Sequence, residues 1–171
     1  MSSAELPRVR AGTAGANPLM CGDPVLMAVL VAGLASGLDC GEPGLRLRSA
    51  IELERITRTR GDLLAPHQAT LLGLLTARPC PEVQGCVAQL VPRMDLDDQE
   101  RAEAVALMVG LFEESPTGSV EAAALQAIIE LAESHPEHHE VASRCAQQAL
   151  ASRSASLRER AWRIITRRQH R

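Results

Sequence analysis

One spacing recurs four times in this chain, and it restricts the fold more than any other feature. In residues 120–131, VEAAALQAIIEL, apolar side chains fall at Val120, Ala123, Ala124, Ala127, Ile128 and Leu131, offsets of 0, +3, +4, +7, +8 and +11. Those offsets trace a single stripe along an α-helix. The same template starts at Leu45 (LRLRSAIELERI), at Val83 (VQGCVAQLVPRM) and at Leu157 (LRERAWRIITRR), so successive anchors lie 38, 37 and 37 residues apart. A fixed period of this size marks stacked helical units, each of which covers its apolar stripe only by packing on the next.

Turn residues divide the rest of the chain into partners for these four segments. Asp23-Pro24 supplies a cap and a proline at a first helical position, predicting a helix to about residue 38 that GLDCGEPG closes. The first copy of the template runs to about Arg60, where Gly61 stops it, and a second partner helix is expected over 65–77. Pro79 and Pro81 lead into the second copy, which Pro92 should end early or bend. An acidic first turn (Asp95, Asp97, Asp98, Glu100) opens the next helix, favourable because carboxylates face the positive end of the helix dipole. The turn at 115–118 precedes the third copy, Ser134-His135-Pro136 starts the penultimate helix, and a Ser-rich turn at 152–156 precedes the fourth. The expectation is an all-α domain over 23–171, eight helices in four pairs with repeats at about 23–61, 62–94, 95–134 and 135–171. Residues 1–22, with glycines and no apolar periodicity, read as an irregular N-terminal arm.

Composition narrows the chemistry. Apolar residues make up 46% of the chain, mostly Ala, Leu and Val, with Phe112 and Trp162 as the aromatics. Small side chains suit close helix packing and leave little for stacking bases or sugars. Five cysteines, an odd number without a C-x-x-C pair, read as reduced, mostly buried thiols of a cytoplasmic protein. The apolar run 25–38 is broken by Gly33, Ser36 and Gly37 and is too short for a membrane span, so it reads as a buried helix. Charge is segregated: residues 153–171 carry seven Arg against Glu159, a net of +6, whereas 61–152 carry four Arg against fourteen acids, a net of −10. Lysine is absent, as codon bias in a GC-rich genome would produce, so every fixed positive charge on a side chain is a guanidinium.

The turn-plus-helix stretches PGLRLRSAIELERI, PCPEVQGCVAQLV, TGSVEAAALQAII and SASLRERAWRII resemble HEAT-like (armadillo-type) repeats over about residues 24–168. The Asp usual in the turn within such repeats is missing from all four copies, and Gly85 and Pro92 depart from the pattern in the second. The resemblance implies a right-handed α-α superhelix whose second helices line a concave side, and a role as scaffold, adaptor or regulatory subunit.

Function, on this reading, sits on the side of the template helices away from the stripe. At about 100° per residue, offsets +2, +5, +6 and +9 should face outward. They include Leu47, Ile51, Ala88, Leu125, Ile129 and Trp162, an apolar row that would suit an amphipathic partner segment, helical or acidic. Alternatively these side chains pack on neighbouring helices, if the phase is off by a residue. Arg153, Arg158, Arg160, Arg163, Arg167 and Arg168 form a basic patch on the last segment, either a charged cap on the repeat stack or a grip for phosphates or an acidic partner. Trp162 with Arg158, Glu159 and Arg163 is similar, at that one helix, to the HEAT-like DNA glycosylases, which would imply a basic aromatic surface with an acidic catalytic residue. One tryptophan and an acidic midsection argue against a nucleic-acid partner. Likeness to the HEAT-like phycobilin lyase group stops at the repeat itself. The helix at 25–38, apolar nearly all round, offers a route to self-association instead. His135, His138 and His139 share a helix face in SHPEHHE, a spacing open to metal, though an exposed polar helix start explains it better. No nucleophile elbow, Walker loop or dinucleotide fingerprint is present, so the expectation is a non-enzymatic protein without cofactor or metal.

Overall fold

Prolines open three of the eight described α-helices, and a proline closes one of them. The computed structural model describes residues 24–38, 40–77, 80–115 and 117–169, with the side chains of 24–28, 30, 156 and 167–169 outside that description. The arm expected over 1–22 and the capping role of Asp23 therefore lie outside the described residues. Helices α1 (Pro24–Gly37), α2 (Pro43–Thr57) and α4 (Pro81–Leu90) each begin on a proline, whose missing N–H would have had no intrahelical acceptor there. Helix α4 ends at Leu90 and tightens into a 3-10 turn, Val91–Arg93, because Pro92 cannot donate to the carbonyl four residues back.

Helix α3 (Gln68–Ala77) begins three residues later than its sequence pattern predicts, since the chain around Pro66 winds as a 3-10 helix, Gly61–His67. Asp97 caps α5 (Asp98–Glu114): its side chain accepts the Glu100 N–H at 2.8 Å while the Glu100 carboxylate accepts the Asp97 N–H at 3.1 Å. Such a reciprocal cap stabilises a helix by about 1 kcal/mol. Then come α6 (Gly118–Ser134), a 3-10 turn at Pro136–His138, α7 (His139–Leu150) and α8 (Ala155–Gln169). The described residues thus form eight α-helices and no strand, an all-α structure. Among them no helix is long and apolar enough to cross a membrane.

Each helix packs on its partner in the pairs α1/α2, α3/α4, α5/α6 and α7/α8, and the template helices touch in chain order, α2 on α4, α4 on α6 and α6 on α8. One apolar cluster, from Val31 to Ala161, runs through all four pairs. Helix α6 is its axis, packed against α4, α5, α7 and α8. Its Ala122, Ala123, Ala124 and Ala127 are buried, and side chains this small let several neighbours approach one helix at once.

Two close approaches fix how the first pairs meet. A Cβ on Gly37 would lie 2.2 Å from the Ser49 Oγ, so glycine lets α1 close down on α2. A Cβ on Gly61 would lie 2.7 Å from the Arg93 carbonyl oxygen, so the chain after α2 runs directly against the turn after α4. Arg93 locks that meeting: it donates to the Glu54 carbonyl (2.8 Å), the Thr57 hydroxyl (3.2 Å) and the Glu54 carboxylate (2.7 Å).

Candidate binding groove

The phase of the template helices decides what they show to solvent. Offset 0 is buried in three copies, at Val83, Val120 and Leu157, while Leu45 at the start of the row is 42% exposed. Offsets +2 and +6 stay open at α2, where Leu47 and Ile51 are 44% and 55% exposed. Offsets +5 and +9 do not behave as the sequence pattern suggests. Ala50, Ala88 and Leu125 at +5 are all buried, and so is Ile129 at +9 of α6. Leu125 and Ile129, expected on the outward face, are core residues, because four helices surround α6 and leave it a far narrower open strip than a two-sided helix would keep. The fourth residue at +5, Trp162, is 60% exposed, since among the described residues no further helix follows α8 to cover it.

Two openings lie over the template helices. The larger, about 350 Å³, sits between α2 and α4 with Leu47, Ala50 and Ile51 on one side and Gly85 and Cys86 on the other. The smaller, about 200 Å³, crosses from α6 to α8, where Arg160, Arg163 and Ile164 close it. Gln89, Ser119 and Ala123 line both, so the two openings adjoin over α4 and α6, and their linings together touch all four template helices. Along them the +6 positions stand in the order Ile51, Gln89, Gln126, Arg163, and the +2 positions that line them in the order Leu47, Gly85, Ala122. The α2 end is aliphatic, the middle carries small and amide side chains, and the α8 end is charged.

The electrostatics follow from the packing. Burial pushes the Glu54 carboxyl up, but hydrogen bonds from Arg93 and then Arg58 outweigh it and hold the group below its ordinary value, so Glu54 is ionised and already paired. On the rim, Glu82 is lowered chiefly by a backbone hydrogen bond in the first turn of α4, then by the Cys80 side chain. Cys86 donates to the Ala50 carbonyl across the α2/α4 contact at 3.0 Å, and burial pushes its thiol up to about 12. It is a packing residue with a locked proton, and Cys145, also raised chiefly by burial, is another. Cys40, Cys80, Cys86 and Cys145 are all unbridged, while Cys21 lies outside the described residues.

The basic patch splits. Arg160 and Arg163 reach the groove; Arg163 pairs with Glu159 one turn back, and Arg160 forms no ion pair among the described residues. Arg158 is turned to the Ser152 carbonyl at 2.6 Å, Arg153 is exposed on the turn before α8, and the side chains of Arg167 and Arg168 lie outside the described residues. Self-association was expected on 25–38; there Val31, Ala35 and Leu38 are buried and Val29 is 64% exposed, while the side chains of 25–28 and 30 lie outside the described residues. His135 and His138 meet edge to face at 6.5 Å beside Glu137, and His139 is exposed. Among the described residues no group of three or more His, Cys, Asp or Glu is arranged to hold a metal ion.

Sequence reasoning missed Gln89, Gln126 and the groove-facing role of Arg160 apart from the other arginines. Reading offset +6 alone across the four copies would have found the two glutamines. Comparison with protein-family models, with curated proteins and with solved structures finds no match to this chain.

Proposed function

We propose that the four helix pairs stack as a right-handed superhelix of the HEAT-like kind and that the protein is a non-enzymatic scaffold, adaptor or regulatory subunit, gripping a protein partner with its template-helix face. The observation that carries this reading is that two adjoining openings lie on the template-helix face: they share Gln89, Ser119 and Ala123, and their linings together reach from Leu47 and Ile51 to Arg160 and Arg163. Large aliphatic side chains half exposed in a groove are what a binding surface needs, because covering them releases free energy that folding has not used. With roughly half of each side chain left to bury, Leu47 and Ile51 would contribute about 1 kcal/mol each to a partner. Together that is about a quarter of the roughly 8 kcal/mol of a micromolar contact, so most of the affinity would have to come from the other residues that line the two openings.

The nucleic-acid alternative has less support, since Arg158 and Arg163 are engaged within the chain and the acidic midsection would repel a phosphate backbone. Affinity capture from an extract of the source cells tests the reading. A Leu47→Asp, Ile51→Asp double variant should keep the wild-type helical spectrum, because both positions are exposed, and lose the partner that wild type retains. An unchanged set of captured proteins refutes the groove as the binding surface.

A further inference from the structure

We draw no further inference here: the strongest candidate, the half-exposed apolar patch of Leu47 and Ile51 in the opening between α2 and α4, belongs to the binding surface already described, and nothing in the structure shows what covers it.

Discussion

Leu125 and Trp162 occupy the same template position on successive template helices, and the structure gives them opposite fates: Leu125 is 0% exposed and Trp162 is 60% exposed. Truncating each to alanine therefore measures whether the helix order α2, α4, α6, α8 governs burial. At Leu125 the loss combines the transfer free energy of the removed atoms with the cavity left among α4, α5, α7 and α8, for which large-to-small changes in a core cost about 2–5 kcal/mol. At Trp162 only about 40% of the surface is covered, solvent fills whatever is vacated, and the cost should stay near 1 kcal/mol. For a chain of this length 1 kcal/mol moves Tm by about 2–4 °C, so a mid-range loss at Leu125→Ala lowers it by about 7–14 °C and Trp162→Ala by about 2–4 °C. Helix content at 222 nm followed through thermal and urea unfolding gives both values, and an unchanged m-value keeps the comparison on the folded state. If Trp162→Ala proves as costly as Leu125→Ala, something covers the far side of α8, and the account of burial by neighbouring template helices is wrong.

Three further outcomes follow from single contacts. Because Glu54 is held below its ordinary value in the folded chain, its contribution to stability is present above about pH 4.5 and lost as pH falls through the lower folded value; Glu54→Gln should flatten that part of the stability profile in urea titrations, and an unaltered slope would discount the Arg93 contact. Gly61→Ala should destabilise by about 1–3 kcal/mol, because its Cβ would meet the Arg93 backbone at 2.7 Å, whereas Gly73→Ala, in a helix with nothing within 4 Å, should stabilise by about 0.5–1 kcal/mol; unfolding midpoints with the same sign would contradict the close approach. In a variant whose only cysteine is Cys86, labelling with a thiol reagent at pH 8 should be about a thousandfold slower in the folded protein than in urea, since burial holds the proton on the sulfur; labelling at the unfolded rate would refute this.

The grouping of residues into helices was legible in the sequence because its cues are local. Proline at Pro24, Pro43 and Pro81, the acidic cap before α5 and the stop at Pro92 act through backbone donors and carbonyls a few residues away. Where the pattern misplaced a boundary, at 65–77, the cause was equally local, a 3-10 winding around Pro66 that hydrophobic spacing does not register. The aliphatic pair Leu47 and Ile51 was also visible, since α2 comes first in the row and meets only one template neighbour there.

What the sequence determined by itself was the all-α character, the four-fold recurrence and which helices carry it, because a 3.6-residue period and a turn signal need no knowledge of neighbours. Only the tertiary structure decided which side of each recurring helix is open. The stripe at offsets 0, +4, +8 and +11 says where burial begins, and the number of helices crowding the same segment says how far around it extends. Four neighbours carry it to Leu125 and Ile129 on α6, while the absence of a following helix among the described residues leaves Trp162 bare on α8. Burial is a property of the surroundings, and four copies of one template take up four different surroundings.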